Sequence, residues 1–376
     1  MNFSFWEHQN IEYPCDITII GAGIVGLSTA ISLKESNPDW SIKILERGAN
    51  PYGASTKNAG FACFGSVSEL MEDIKLNGID QCKGLLRMRW QGLEILKKRV
   101  PHDVMHYRNC GGTEYFKPSD DALATSCMDQ IDYYNELIAN TLELNNCYSI
   151  EKQSLFGKFS RKCIVNQCEG VLNPVLMMKK LALTALNLGV HLHYGIDIAS
   201  INIQDNALIY QDHRTIHYHK LIVCTNGFAA NLLPNLNVKP ARNQVLITQP
   251  QSHIKLDSAY HLDQGYIYFR QIDSRILLGG GRNIDPVGET TDHFGHSDQI
   301  QEYLMGFLEQ YLDVSRTAVD YWWSGILGIG DSKFPIVEFI GDDVLVGVRM
   351  GGMGVAIGSY IGEQLASEMT TNIGAR

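Results

Sequence analysis

The chain has 376 residues, a length that suits two domains better than a single small core. Its 41 Asp and Glu residues outnumber its 31 Lys and Arg residues, so the formal net charge is −10. This charge opposes the electrostatic attraction that nucleic acids and anionic membranes exert on basic proteins, and we expect neither as a partner. Hydrophobic residues make up 45% of the chain, which is enough for a large buried core.

The sequence predicts neither a leader peptide nor a membrane span. Residues 1–13 contain charged residues and no continuous apolar stretch, unlike a signal peptide. No later segment offers the roughly twenty apolar residues that a membrane helix needs. The 9 cysteines are scattered and include no C-x-x-C pair, which favours a reducing compartment over a disulfide framework. We therefore expect a soluble, cytoplasmic protein.

The first predicted elements are a strand, a turn, a helix and a second strand. Residues 16–20 and 41–45 are short apolar runs, and residues 25–35 carry apolar residues at helical spacing. Asn37 and Pro38 end the helix. The pattern predicts a βαβ unit with parallel strands.

The turn of this unit carries a glycine pattern that is typical of dinucleotide binding. Gly21 permits the tight turn, Gly23 leaves room for a pyrophosphate, and Gly26 allows close packing of the helix on the strand. Glu46 stands about 20 residues further on, where a carboxylate can accept from ribose hydroxyls and disfavours a 2′-phosphate. The pattern therefore predicts bound FAD or NAD rather than NADP.

Residues 47–60 form a long stretch of small and polar residues. A simple NAD-binding domain would continue here into its next βα unit. An extended loop of this kind offers many backbone N–H groups, which can follow a pyrophosphate and a ribityl chain. The loop therefore favours FAD over NAD.

Further elements follow in the middle and at the end of the chain. Residues 69–100 and 120–144 show helical patterns, and an amphipathic helix at 174–188 begins after Asn173. Residues 220–224 read as a buried strand. Residues 241–281 alternate in a way that predicts an antiparallel sheet. A short strand at 343–347 and a helix at 355–369 end the pattern.

Two histidine pairs alternate along predicted strands, His191 with His193 and His217 with His219. Each pair can share one face of a strand, but no Cys or carboxylate stands at ligand spacing. We interpret these residues as solvated strand histidines and predict no metal site.

Together the elements predict an α/β chain, α+β overall, with a Rossmann-like FAD-binding domain interleaved with an antiparallel-sheet substrate domain. We assign residues 1–90, 165–235 and 325–376 to the FAD-binding domain. Residues 91–164 and 236–324 are assigned to the substrate-binding domain.

Several short segments, in the same order along the chain, carry a family resemblance. They are the glycine turn at 21–26 and the segments 53–60, 169–174, 225–227, 275–281 and 351–354. Together they resemble the glycine oxidase/D-amino-acid oxidase family of FAD-dependent oxidoreductases. Residues 322–335 are most similar to the γ-glutamylputrescine oxidoreductase-like branch of that family.

The resemblance implies an FAD that is bound without a covalent link. Some relatives attach the flavin through a cysteine in the segment that corresponds to 322–335, where this chain has Ser324. Cys63, shortly after the loop 47–60, is the alternative point of attachment. The late glycines would place a helix N-terminus beside the flavin, where its dipole stabilises negative charge. The implied FAD-binding residues are Gly21, Ala22, Gly23, Ile24, Val25, Gly26, Glu46, Arg47, Ala54, Ser55, Thr56, Asn58, Ala59, Gly60, Thr225, Gly227, Gly351, Gly352, Met353, Gly354 and Val355.

The resemblance also implies the reaction, which is oxidation of the C–N bond of a small amine or amino acid by hydride transfer to flavin. The imine product then hydrolyses in water, and the chemistry needs orientation more than a catalytic triad. Because only one dinucleotide fingerprint is visible, the electrons should pass to oxygen or another acceptor. The alternatives are an NAD-dependent dehydrogenase and a non-catalytic flavin-binding protein.

Four residues are candidates for contact with the substrate: Tyr266, Tyr268, Arg270 and Trp323. The first three alternate along a predicted strand, and an aromatic wall with one guanidinium suits a small amine and its carboxylate. In the alternative interpretation this face packs on its own core, with Arg270 in a structural ion pair.

One position departs from the family pattern. Glycine oxidase-like enzymes carry an arginine after the Ser-Gly of the late loop, where this chain has Leu327. Arg270, Arg242 or Arg282 would have to replace that carboxylate clamp. Otherwise the substrate is an amine without an α-carboxylate.

Overall fold

The computed structural model of the protein describes residues 3–152, 157–210 and 213–374. The helices in these ranges, α1 to α11 in chain order, are Phe5–Glu12, Ile24–Ser36, Ala54–Lys57, Val67–Asn77, Ile79–Arg99, Asp121–Asp129, Ile131–Leu142, Pro174–Asn187, Ala229–Leu232, Asp298–Leu312 and Gly354–Gly374. The strands, β1 to β19, are Ile17–Ile20, Ile42–Glu46, Phe61–Ala62, Gly112–Glu114, Tyr148–Glu151, Cys163–Asn166, Gly170–Val171, His191–Tyr194, Ile198–Asn202, Ala207–Tyr210, Arg214–His217, Lys220–Val223, Lys239–Thr248, Ala259–Leu262, Ile267–Ile272, Arg275–Gly280, Val319–Ile329, Ile336–Ile340 and Val344–Val348.

A six-stranded sheet has the strand order β18-β19-β12-β1-β2-β8. Its neighbours from β19 to β8 pair in parallel, and β18 is antiparallel to β19. The sheet draws strands from the beginning, middle and end of the chain, as the interleaved arrangement requires. The predicted Rossmann-like fold is therefore confirmed, whereas the residue bounds of the two domains stay a prediction.

Both faces of this parallel sheet are buried, because successive residues of a strand point to opposite sides. Ile17 and Ile19 pack with apolar residues of α2, α8 and α11. Ile20 packs on the other side, against a three-stranded sheet of order β11-β10-β9. This two-sided burial explains why β1 reads as a continuous apolar run.

An eight-stranded sheet has the order β17-β13-β16-β15-β14-β4-β6-β5. All its pairs are antiparallel except that of β14 with β4. Helix α10 packs on one face of it through Ile300, Leu304 and Phe307. The antiparallel sheet predicted at 241–281 is present, and it also recruits β4, β5 and β6 from earlier in the chain.

Some predicted bounds were wrong. The helix predicted at 69–100 is two helices, α4 and α5, separated by Gly78 with φ +82°. The strand predicted from residue 265 begins at Ile267, because Asp263, Gln264 and Gly265 all have positive φ and form a tight turn. Helix α1 was not predicted, although Ser4 and Glu7 form a capping box at its start.

Among the residues that the structure describes, no helix combines the length and the apolar character that crossing a bilayer would require.

Candidate functional site

The turn between β1 and α2 has the geometry that its three glycines predict. Gly21 has φ +101°, a conformation that glycine tolerates best. A Cβ on Gly26 would lie 2.0 Å from the carbonyl oxygen of Gly21, so the helix can pack this closely only with glycine there. Gly23 is the N-cap of α2 and provides no side-chain cap. The Ser55 hydroxyl accepts the N–H of Ile24 at 3.0 Å, so the loop 54–60 caps part of this helix start, and the N–H groups that follow can face an anionic ligand.

Glu46 holds the same turn from the end of β2. One carboxylate oxygen accepts the N–H of Ala22 at 3.0 Å and the other accepts the N–H of Gly48 at 3.0 Å. The sequence reasoning did not foresee this positioning of the turn by Glu46. The expected contact of Glu46 with ribose stays a prediction.

A cavity of about 290 Å³, which we call the glycine-turn cavity, lies in front of α2. Thr225 is among its lining residues, and the buried hydroxyl of Thr225 has no hydrogen-bond partner among the described residues. Buried polar groups usually have partners, so a polar ligand in this cavity would satisfy the hydroxyl. The predicted FAD-binding residues that line this cavity are Gly21, Gly23, Glu46, Arg47, Ala54, Ser55 and Thr225.

The segment 54–60 connects this cavity to a second one. The side-chain amide of Asn58 donates to the carbonyl of Ser55 at 2.8 Å, and its oxygen accepts the N–H of Gly60 at 2.9 Å. The hydroxyl of Thr56 donates to the carbonyl of Pro51 at 2.8 Å. These polar side chains therefore shape their own loop, and Ala54 lines both cavities.

The second cavity, of about 300 Å³, is called the central cleft. It lies between segment 54–61, the glycine loop before α11, and strands β13, β15 and β17. The predicted site residues that line it are Ala54, Asn58, Ala59, Tyr266, Tyr268, Gly351, Gly352, Met353 and Val355. Leu327, at the position of the family's arginine, also lines this cleft.

Glycines bring the two helix starts together. A Cβ on Gly358 of α11 would lie 2.7 Å from the Ile24 side chain, and one on Gly362 would lie 2.4 Å from the Ser28 side chain. Helices α2 and α11 therefore cross at close range, with the glycine-turn cavity at the start of one and the central cleft at the start of the other. The remaining predicted FAD-binding residues line neither cavity: Ala22, Ile24, Val25, Gly26, Thr56, Gly60, Gly227 and Gly354.

Tyr268 forms part of the wall of the central cleft. Its ring lies over Gly279 of the neighbouring strand, where a Cβ would come within 2.5 Å of the ring. Its hydroxyl accepts the side-chain amide of Asn243 at 2.9 Å, and burial raises the pKa of Tyr268. Trp323 packs beside Tyr268 and donates its indole N–H to the carbonyl of Lys57 at 2.9 Å. Trp323 itself does not line the cleft.

Arg270 is buried away from the cleft lining. Its guanidinium donates to the carbonyls of Gly60 and Leu172, each at 3.1 Å, and burial lowers its pKa to about 10. These partners are backbone carbonyls rather than the carboxylate expected in the structural interpretation. The guanidinium thus links Gly60, at the end of the loop 54–60, to Leu172, just before α8. A role for Arg270 in substrate binding stays a prediction.

The other two arginines proposed as clamps differ from each other. Arg242 binds Glu289 through two hydrogen bonds of 3.0 and 2.8 Å, and Glu289 is only 1% exposed. Arg282 lines the cleft with its guanidinium 5.5 Å from the centroid of the Tyr266 ring. Among the described residues, the Arg282 side chain has no hydrogen-bond or ion-pair partner. Arg282 is therefore the clamp candidate with a free guanidinium.

Acidic groups line the same cleft. Glu69 and Glu72 belong to the lining, together with Lys333, whose ammonium lies 3.8 Å from Glu72 and also pairs with Asp73. Sequence reasoning assigned none of these residues to the site. A capping-box pattern at Ser66 and Glu69 was the only local signal, and it indicates a helix start rather than a ligand.

Cys63, Glu169 and His261 form a buried cluster at the cleft wall. The His261 Nε2 atom lies 3.3 Å from a Glu169 oxygen and 3.5 Å from the Cys63 sulfur. Burial acts to lower the pKa of His261, but the Glu169 carboxylate outweighs it and raises that pKa. Burial also raises the pKa of Cys63. Of these residues, only Cys63 had been singled out from the sequence, because the cluster depends on long-range strand pairing.

A glycine turn at a helix start, with a loop that leads from it to a second cavity, is the arrangement expected of dinucleotide-dependent oxidoreductases. A family model described as DAO, FAD dependent oxidoreductase, matches residues 16–368. The chain therefore belongs to the DAO family of FAD-dependent oxidoreductases. This confirms the expected resemblance, the assignment as an FAD-dependent oxidoreductase, and FAD as the cofactor.

Known proteins similar to the chain support this assignment. It is 23% identical to γ-glutamylputrescine oxidoreductase of Escherichia coli, over 88% of this chain and 78% of that protein. The crystal structure of iminodiacetate oxidase from Chelativorans sp. BNC1 has a TM-score of 0.73 at 20% identity, covering 94% of this chain and 95% of that one. The FAD-bound L-α-glycerophosphate oxidase of Mycoplasma pneumoniae has a TM-score of 0.74 at 14% identity, covering 95% of each chain. At these identities the structures establish a shared fold.

Proposed function

We propose that this enzyme oxidises the C–N bond of a small amine or amino acid and releases an imine that water hydrolyses. The bound FAD would accept the hydride. The names of two similar proteins, γ-glutamylputrescine oxidoreductase and iminodiacetate oxidase, specify nitrogen compounds as substrates. They support a C–N bond as the site of oxidation.

We place the FAD along the two connected cavities. The N-terminus of α2, with no side chain at its N-cap, and the unpartnered Thr225 hydroxyl suit the nucleotide part. The loop 54–60 would carry the ribityl chain, and the glycine loop 351–354 would face the flavin ring. The six-stranded sheet and its helices would form the FAD-binding domain within the ranges given above, and the eight-stranded sheet would form the substrate-binding domain.

The observation that carries the substrate assignment is the composition of the central cleft. Phe61, Tyr266 and Tyr268 supply aromatic walls that can hold the carbon skeleton. Arg282 supplies an unpaired guanidinium for a carboxylate, which is the strongest type of anion contact available to a side chain. The residues need only orient the donor carbon and exclude water from the neutral amine, since no side chain has to form a covalent bond.

Anaerobic reduction of the bound flavin tests this proposal directly. The purified holoenzyme is mixed without oxygen with glycine, sarcosine, proline, D-amino acids and γ-glutamyl or free polyamines, and loss of the flavin absorbance is followed. We expect bleaching by at least one amine or amino acid.

The panel also includes 2-hydroxy acids and L-α-glycerophosphate, because an enzyme that acts on a C–O bond shares the fold. Bleaching by hydroxy compounds alone would contradict the proposal. Reoxidation of the reduced enzyme by air, compared with reoxidation by a quinone, then identifies the class of electron acceptor.

A further inference from the structure

Three buried side chains with different donor atoms converge at the wall of the central cleft. Cys63 follows β3, Glu169 precedes β7, and His261 lies on β14. Their exposed fractions are 5%, 1% and 8%. One sulfur, one oxygen and one nitrogen atom lie within 4.8 Å of one another. The function proposed above does not use this cluster.

The arrangement does not suit a nucleophilic cysteine triad. In such triads the nucleophile and the carboxylate bind opposite nitrogens of the imidazole, so that the ring can pass a proton between them. Here the Cys63 sulfur and the Glu169 oxygen both face Nε2 of His261, at 3.5 and 3.3 Å. A proton relay through the ring is therefore not built.

The separations do match the ligand spacing around a tetrahedral metal ion. Zinc binds thiolate sulfur at about 2.3 Å and nitrogen or oxygen at about 2.0–2.2 Å, so neighbouring ligand atoms stand about 3.3–3.6 Å apart. The two distances to His261 Nε2, 3.3 and 3.5 Å, lie in that range, and the Cys63 sulfur and the Glu169 oxygen lie within 4.8 Å of each other. The set of one thiolate, one imidazole and one carboxylate also carries the charge that a divalent cation would balance.

The carboxylate is held in place for this task. Its second oxygen accepts the backbone N–H groups of Phe64 at 3.1 Å and Gly65 at 3.2 Å, which leaves the first oxygen facing His261. Gly112 makes room for it, because a Cβ there would lie 2.0 Å from that first oxygen. Outer contacts of this kind orient metal ligands.

One side of the cluster is open to the cleft. Cys63 and His261 belong to the cleft lining, whereas Glu169 lies behind them. Three protein ligands with one free position are typical of catalytic rather than structural zinc sites. We propose that Cys63, Glu169 and His261 bind one divalent transition-metal ion of the zinc type, with its fourth position facing the cleft.

Binding would release the thiol proton to solvent, because thiolate is the ligand form of cysteine. The fourth position would be available to water, or to a carboxylate or amine group of a molecule in the cleft. A cation there would add positive charge to a cleft in which Leu327 stands at the position of the family's arginine. The site itself does not depend on which substrate the enzyme oxidises.

Zinc binding by the intact flavoprotein tests the proposal. The holoenzyme is treated with a chelator, titrated with Zn²⁺, desalted and analysed for zinc and flavin. We expect one zinc per chain, and X-ray absorption at the zinc edge should show one sulfur neighbour at about 2.3 Å with nitrogen or oxygen neighbours at about 2.0–2.2 Å. A zinc spectrum without a sulfur neighbour, or retention of no zinc, would overturn the proposal. This spectroscopic readout needs no variant to fold.

Variants then identify the ligands. Cys63→Ser and His261→Gln should each weaken zinc binding by at least about 100-fold, more than the loss of an outer contact typically costs. Cys15→Ser, at another buried cysteine, serves as the matched control and should bind zinc normally. His191→Gln checks for binding at the exposed His191, which alternates with His193 on β8. Wild-type zinc affinity in Cys63→Ser would overturn the proposal independently of any activity measurement.

Discussion

The six-stranded sheet and the eight-stranded sheet contribute to the site in different ways. The first presents backbone groups: the N-terminus of α2, the turn at Gly21 that the Glu46 carboxylate holds, and the glycine loop before α11. The second presents side chains, among them Tyr268, His261 and the free Arg282. A backbone cradle recognises what all members of a family share, the cofactor, whereas side chains can change with the substrate.

Replacing Gly26 should break the first region. In Gly26→Val, the new side chain would begin 2.0 Å from the Gly21 carbonyl oxygen, and neither backbone can move without opening the turn. We expect loss of nearly all bound FAD, measured as flavin absorbance per chain after purification. Gly306→Ala, in α10, is the control, because an added Cβ there would meet no atom within 4 Å apart from its own helix backbone. This variant should keep its flavin. Normal flavin content in Gly26→Val would show that the turn tolerates a side chain.

Replacing Arg242, on β13 of the eight-stranded sheet, tests whether this arginine contributes to stability alone. Arg242→Met leaves the Glu289 carboxylate, 1% exposed, without its cation. Breaking a buried pair in this way costs about 3–5 kcal/mol of the free energy of unfolding. Urea unfolding measures this loss, with Arg316→Met, at an exposed pair, as the control expected to change little. A stability equal to that of the wild type would mean that Glu289 is held by Gln244 and Ser297 alone.

Arg282 should affect substrate binding without affecting stability. In Arg282→Met, loss of a charge-assisted contact of about 1.5–3 kcal/mol raises KM for an amino-acid substrate by about 10- to 100-fold. Flavin content and the KM for an amine without a carboxylate should not change. Arg270→Met is the informative comparison, because its guanidinium holds the carbonyls of Gly60 and Leu172. If KM for acidic substrates rises selectively in Arg270→Met and does not rise in Arg282→Met, Arg270 rather than Arg282 binds the substrate carboxylate.

Replacing His193, on the edge strand β8 of the six-stranded sheet, should give the smallest effect. Burial, with the charges of Lys43 and His191, lowers its pKa from 6.5 to about 4. Between pH 6.5 and 4 the unfolded chain binds a proton that the folded chain excludes, so stability falls as the pH decreases through this window. His193→Gln should remove on the order of 1–2 kcal/mol of that pH dependence. Urea unfolding at several pH values measures it, and His217→Gln, at an exposed histidine, should retain the wild-type slope.

The comparison between the two regions also explains which parts of the site could be predicted. The glycine turn, Glu46 and the loop 54–60 are consecutive or nearly so, and their patterns report local backbone geometry that a ligand needs. The cofactor followed from them, and the family resemblance from them together with the short segments at 169–174, 225–227, 275–281 and 351–354. Arg270 illustrates the opposite case. Alternation along the strand suggested that its side chain lies on the same face as that of Tyr268, but the alternation could not reveal which groups the guanidinium contacts.

The central cleft was only partly foreseen for the same reason. Tyr266 and Tyr268 were predicted as wall residues and line the cleft. Trp323 packs beside Tyr268 and does not line it. Glu69, Glu72 and Lys333 carried no motif that would assign them to a site. His261 meets Glu169 because β14 pairs with the distant strand β4, and β4 pairs with β6, which ends shortly before Glu169.

By itself, the amino-acid sequence determined the class of fold, the dinucleotide fingerprint, the family and its FAD cofactor, because each depends on short stretches whose backbone conformation is set by neighbouring residues. Only the tertiary structure decided which arginine is free in the cleft and which three donor atoms face one another beside it. Those arrangements depend on contacts between side chains from distant segments, which the packing of the whole fold brings together. No local sequence pattern specifies such contacts.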